Sequence, residues 1–122
     1  MPDLPLEGLE FAPVIPDPDK IICVGLNYRD HVAETGQTET PHPALFGRFA
    51  GSQVGHLQPL VKPKVSDRFA YEGELAVVIG QGGRHIPPDR ALEHVAGYAC
   101  YNEGSVRDWQ LHTSQYPTLL HG

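Results

Sequence analysis

The residues best suited to chemistry lie in the run Tyr71-Glu72-Gly73-Glu74-Leu75-Ala76-Val77-Val78-Ile79. Its apolar, β-branched content predicts a strand, whose successive side chains point to opposite faces. Glu72 and Glu74 then share a face with Ala76 and Val78, while Leu75, Val77 and Ile79 form a core stripe on the other. Two glutamates side by side on an otherwise apolar face repel each other unless a cation stands between them. A solvated strand end would also carry acids, but it does not explain why the same face turns apolar two residues later. Glu103 is a third candidate, at the end of a strand predicted over Tyr98 to Asn102 and just ahead of a Gly104-Ser105 turn. If the two strands are neighbours, three carboxylates converge. An all-oxygen donor set without thiolate or imidazole selects a hard cation such as Mg²⁺, Mn²⁺ or Ca²⁺.

A second constellation is His31 with Glu34. Three residues apart, they share one face of a helix and can hydrogen-bond. A carboxylate that holds one imidazole nitrogen raises the basicity of the other, which is the arrangement of a general base. An exposed helix pair has the same spacing. The other histidines (His42, His56, His85, His94, His112 and His121) form no HxxxH or CxxC pattern and read as surface or packing residues.

The elements that must position these groups are short. Residues 1–19 read as an extended arm, because Pro2, Pro5, Pro13, Pro16 and Pro18 forbid a helix or a central strand. Lys20 to Val24 is an apolar strand ended by Gly25. Asn27 and Asp30 have the spacing of a capping box and Gly36 suits a helix C′ position, which predicts a helix from Tyr28 to Thr35. Residues 37–43 are a loop, Leu45 to Phe49 a short strand, and 51–68 loops and edge segments. After the Tyr71–Ile79 strand, Gly80, Gly82 and Gly83 make a turn and His85-Ile86 begin a return. A helix opens at Pro87-Pro88-Asp89 and runs to about Val95, with Ala91, Leu92 and Val95 on one face. Ser105 and Asp108 predict a second capping box and a short helix through Gln110.

Composition limits the classes of function. The chain of 122 residues carries nine Lys and Arg against fifteen Asp and Glu, a formal net charge of −6. No basic stripe exists to neutralise phosphates, which argues against nucleic acid. No apolar run approaches the ~18–20 residues of a membrane span, and no basic-then-apolar secretory pattern is present. Thirteen glycines and twelve prolines exclude a long helical bundle. Cys23 and Cys100 each sit in an apolar run and are expected as buried free thiols of a cytoplasmic protein.

Four ordered segments carry a resemblance. They are Ile21-Ile22-Cys23-Val24-Gly25-Leu26-Asn27-Tyr28-Arg29-Asp30-His31, Tyr71 through Gly80, Val95-Ala96-Gly97-Tyr98, and Asn102-Glu103-Gly104-Ser105-Val106-Arg107-Asp108-Trp109-Gln110. Together, from about Lys20 to Gln115, they resemble the fumarylacetoacetate hydrolase family. The resemblance implies a β-rich α+β fold, a mixed β-roll with short helices, in a homodimer. It implies a Mg²⁺ or Mn²⁺ site on Glu72 and Glu74, with Glu103 at the position of the third ligand. The family has Asp there, and the extra methylene of Glu103 makes Mn²⁺, Ca²⁺ or a water-bridged ligand more natural than strict octahedral Mg²⁺. It further implies that Glu34 orients His31 to activate water, that Arg107 and Gln110 contact substrate oxygens, and that Asp108 buttresses the turn.

The resemblance implies hydrolysis of a carbon–carbon bond in a β-dicarbonyl, acylpyruvate-like acid. Decarboxylation of an oxaloacetate-like 2-oxo acid is the alternative. The family's Gly-Lys-x-Phe segment, whose lysine helps bind substrate, has no counterpart before Leu120-His121-Gly122. The chain therefore reads as the N-terminal portion of a larger catalytic domain over 20–122. A non-catalytic piece that binds metal and a complementing chain is the rival reading.

Overall fold

The structure, a computed structural model, describes residues 5–34, 36 and 41–110. Thr35, the expected end of the first helix, residues 37–40 of the loop after it, Pro2, His112 and His121 lie outside the described residues. The elements run β1 (Ile21–Gly25), α1 (Arg29–Glu34), β2 (Ala44–Arg48), β3 (Phe69–Ile79) and β4 (Val95–Val106). A 3₁₀ turn at Ala50–Ser52 and a 3₁₀ segment at Pro88–His94 complete the order. The fold is strand-rich with few short helices, as expected.

Among the described residues the strands form two antiparallel pairs, β1 with β2 and β3 with β4. Gly36 has φ 65° and its N–H bonds to the Ala33 carbonyl at 3.3 Å, as a helix-terminating glycine does. The β3–β4 ladder runs unbroken from Phe69↔Val106 to Val78↔Gly97, then shifts so that Ile79 meets Val95. The N–H groups of Gly80 and Gln81 both reach the His94 carbonyl, at 2.9 and 3.2 Å, and close that end.

Several expectations are corrected. β4 has twelve residues rather than five, and Glu103 lies inside it. Asn-Glu-Gly-Ser reads locally as a turn, but the matching length of β3 offers a ladder that outweighs local preference. Ser105 is therefore the strand residue opposite Ala70, fully buried, and not a helix cap. The helix expected from Ser105 is only a turn, with the Trp109 N–H on the Val106 carbonyl at 3.0 Å. The helix expected after Pro87 is 3₁₀, and its Leu92 is 76% exposed rather than packed. His85-Ile86 begin no strand.

The core stripe is also on the wrong face. Leu75, Val77 and Ile79 are exposed, and the covered face is that of Glu72, Glu74, Ala76 and Val78. Cys23 and Cys100 are free thiols, but only Cys23 is half-buried; Cys100, across from Leu75, faces outward. Among the described residues the buried apolar side chains are Val32 and Val106, whereas Arg48, Ser66, Glu103 and Ser105 are buried polar groups. Burial thus concentrates around charged side chains.

The N-terminal arm is held by backbone contact. A Cβ on Gly55 would stand 1.5 Å from the Phe11 carbonyl oxygen, so only glycine admits the arm there. The Phe11 and His56 rings meet edge to face at 5.8 Å, and the Gln53 side-chain amide donates to the Ile15 carbonyl at 3.2 Å.

Candidate active site

Antiparallel pairing decides which side chains gather. Glu72 is the Cα partner of Glu103, Glu74 of Tyr101, and Ala70 of Ser105. Paired residues share a face, so Glu72, Glu74, Tyr101, Glu103 and Ser105 all lie on the covered side of the hairpin. The three carboxylates singled out by sequence are therefore brought to one face.

Each of two acids has its own cation. The Arg48 side chain on β2 is 2% exposed, and its Nε donates to Glu103 Oε1 at 3.3 Å while Nη2 donates to the Gly104 carbonyl at 3.1 Å. Arg107 Nη1 lies 3.2 Å from Glu72 Oε1, an oxygen that also accepts from the Ser105 hydroxyl. Burial pushes the Glu103 carboxyl above its ordinary value; Arg48 opposes this, and repulsion from Glu72 and Glu74 adds to it. Burial pushes the Cys23 thiol up to about 11, with Glu103 adding to the rise. Burial likewise raises the Tyr101 hydroxyl, against the nearby Arg48.

The donor chemistry of the three carboxylates fits a hard divalent cation, since their mutual repulsion on a covered face is what such an ion relieves. Among the described residues no group of three His, Cys, Asp or Glu stands ready to hold a metal.

His31 and Glu34 both lie on α1, His31 half-buried and Glu34 exposed. The Tyr28 hydroxyl just ahead of that helix accepts the Leu75 N–H on β3 at 3.0 Å. Arg107 Nη1 also donates to Gln110 Oε1 at 3.5 Å, so the two expected substrate-contacting residues are neighbours. Asp108 accepts from the Ser66 hydroxyl at 2.6 Å, which suits a residue that braces the turn. His94 Nδ1 lies 2.8 Å from the Gln81 carbonyl, a packing role like that of His56.

Sequence reading missed Arg48, Ser105 and Tyr28. The only signal for Arg48 was a lone charge inside the apolar run Leu45-Phe46-Gly47-Arg48-Phe49. Its partner lies 55 residues away, which no local pattern encodes.

A strand-rich fold that gathers three acids and two arginines on a hairpin face belongs to a recognisable class. Residues 20–122 match the family described as fumarylacetoacetate (FAA) hydrolase C-terminal. The chain belongs to that family. It is 40% identical over 120 residues to the human protein named oxaloacetate tautomerase FAHD2A, mitochondrial, covering 98% of this chain and 38% of that protein. Among solved structures it is similar to 5-carboxymethyl-2-hydroxymuconate delta-isomerase from Mycobacterium smegmatis, at 33% identity and TM-score 0.77. That match covers 95% of this chain and 46% of the other. It is also similar to fumarylacetoacetate hydrolase from Exiguobacterium antarcticum, at 40% identity and TM-score 0.65, over 77% of this chain and 34% of the other. The chain thus spans under half the length of these relatives. Among the described residues no helix is long and apolar enough to cross a membrane.

Proposed function

We propose that this chain provides part of the active site of a metal-dependent enzyme that hydrolyses a carbon–carbon bond in a β-dicarbonyl, acylpyruvate-like acid. The observation that carries the reading is the Glu72↔Glu103 register, which sets three carboxylates on one face beside Arg107. Glu72, Glu74 and Glu103 hold the cation, Mg²⁺ or Mn²⁺, with Ca²⁺ also suited to the donor set. When bound, it supplies a Lewis acid for negative charge on the oxygens of the 2-oxo acid. Arg107 and Gln110 orient the substrate through its oxygens. His31, oriented by Glu34, takes a proton from the water that attacks the far carbonyl.

Likeness to a protein named oxaloacetate tautomerase favours a second reading, in which His31 moves a proton at the carbon beside the 2-oxo group and no water is consumed. Decarboxylation of an oxaloacetate-like acid is a third outcome of the same charge stabilisation. The reading includes a homodimer or a complementing chain, no nucleic-acid or membrane partner, and a cytoplasmic location. The human relative is named as mitochondrial, and cell fractionation separates the two compartments.

The test offers an acylpyruvate and oxaloacetate, with Mn²⁺, to the protein in the assembly in which it purifies. Release of pyruvate and a carboxylic acid marks hydrolysis. Loss of the enol absorbance without new acid marks tautomerisation, and carbon dioxide marks decarboxylation. No turnover of either compound supports the non-catalytic rival.

A further inference from the structure

We propose that Arg48 is a positioning residue of the carboxylate site, acting through Glu103; this rests on the metal reading above. Its guanidinium bridges two strand pairs that share no ladder: it leaves β2 and grips β4 at the Glu103 carboxylate and the Gly104 carbonyl. Both partners are buried, with side-chain exposures of 2% and 8%, so neither charge has water as a substitute. A fork with two acceptors fixes direction as well as distance, which a lysine ammonium cannot do. Arg48 therefore sets where the third carboxylate stands relative to Glu72 across the ladder and Glu74 on the same face.

The bridge also has a counterpart. Arg48 pairs with Ile21 at the start of β1, while α1 leaves the other end of that strand and the Tyr28 hydroxyl meets β3 at Leu75. The β1–β2 pair is thus tied to the β3–β4 hairpin at both ends, once by Arg48 and once by Tyr28. This places the His31 helix and the carboxylate face in one frame.

Charge alone predicts the opposite sign. A cation beside three carboxylates competes with a metal ion, so if Arg48 only competed, its removal would tighten metal binding. Positioning predicts loss, and Arg48→Lys separates the two because it keeps the charge and loses the fork.

The experiment is calorimetric titration of Mn²⁺ into wild type, Arg48→Lys, Glu103→Gln and Glu74→Ala. Circular dichroism monitors the fold, and the electron paramagnetic resonance spectrum of bound Mn²⁺ reports its environment. Arg48→Lys is expected to weaken binding about 10–100-fold, the range for residues that orient metal ligands, and to alter the spectrum. Unchanged or tighter binding in Arg48→Lys, with Glu74→Ala weakened, overturns the role of Arg48 and leaves the metal reading standing. Equal binding in wild type and Glu74→Ala overturns the metal reading itself. If Arg48→Lys does not fold, the charge-balanced pair Arg48→Gln with Glu103→Gln is compared with Glu103→Gln alone. Equal affinities support action through Glu103; a further loss or a gain overturns it.

Discussion

Glu103 stands directly across the β3–β4 ladder from Glu72, two acids in register on the covered face of one hairpin. Like charges so placed destabilise a sheet by a few tenths to about 1 kcal/mol. The structure answers with one guanidinium apiece, Arg48 on Glu103 and Arg107 on Glu72. Among the described residues no Lys, Arg or His pairs with Glu74, the third acid, so the face retains net negative charge for a cation to neutralise. Mn²⁺ binding is therefore expected to fall sharply in Glu74→Ala. Calorimetry checks this, and equal affinity in the two proteins rules the assignment out.

Burial of Glu103, with the repulsion of Glu72 and Glu74 added, makes stability depend on pH. The Glu103 carboxyl is raised above its ordinary 4.5, first by burial. The folded state then holds its proton at pH values where the unfolded chain has released it. Stability consequently falls as pH rises from about 4.5 through the raised value, and is not regained above it. Thermal melts of the metal-free protein across this range should show that decline, and Glu103→Gln should flatten it. Added Mn²⁺ should reverse the decline above the raised value, because it binds the ionised form.

His31 makes a different prediction, since it lies on α1 and outside the proposed ligand set. His31→Ala is expected to abolish turnover by about 10²–10⁴-fold, the usual contribution of a general acid–base group, with Mn²⁺ affinity unchanged. Loss of metal binding in a folded His31→Ala protein would make His31 a ligand and remove the proposed base.

How far the sequence spoke for this site depended on distance along the chain. β3 and the shared face of Glu72 and Glu74 follow from a two-residue period, which is local. Which face is covered is not local: Leu75, Val77 and Ile79 are the more apolar set yet point outward, and the face of the acids is the one that Arg48 of β2 reaches, at Glu103. Ser105 departs from its local pattern for a related reason. Ser three residues before an acid fits a cap, but the pairing with Ala70 across the ladder places its hydroxyl on Glu72.

The arm offers a stability test remote from the carboxylates. A methyl at position 55 must displace the Phe11 backbone, since the clash is with a carbonyl and not with a flexible side-chain end. Gly55→Ala is expected to cost about 1–3 kcal/mol, typical of overpacking, and to expose the arm. Limited proteolysis reads this out: cleavage among residues 5–15 should rise in Gly55→Ala while β3 and β4 stay protected. An unchanged cleavage pattern and melt would mean the arm does not rest on Gly55.

The outward face of the hairpin supports the last prediction. Tyr71, Leu75, Val77 and Ile79 on β3 are joined by Tyr98 on β4, and their exposures run from 47% to 82%. These residues lie on adjacent strands on one side of the sheet, so they form a contiguous apolar patch rather than scattered contacts. Against it the described residues bury only Val32 and Val106 as apolar core, little for a domain whose net stability is normally about 5–15 kcal/mol. The chain is therefore expected to associate through this face, with a second copy or with a chain that completes the sheet. Sedimentation at micromolar concentration should give a species larger than 13.4 kDa, or aggregation. Cys100 reports the location, because it lies on the same face opposite Leu75. Its alkylation should be slow in the assembly and rapid in an association-deficient variant such as Leu75→Glu, which is driven to monomer. Cys23 should stay unreactive in both, since its thiol is held protonated up to about pH 11. A compact 13.4 kDa species with a cooperative melt and a freely alkylated Cys100 would show that the patch tolerates water and needs no cover.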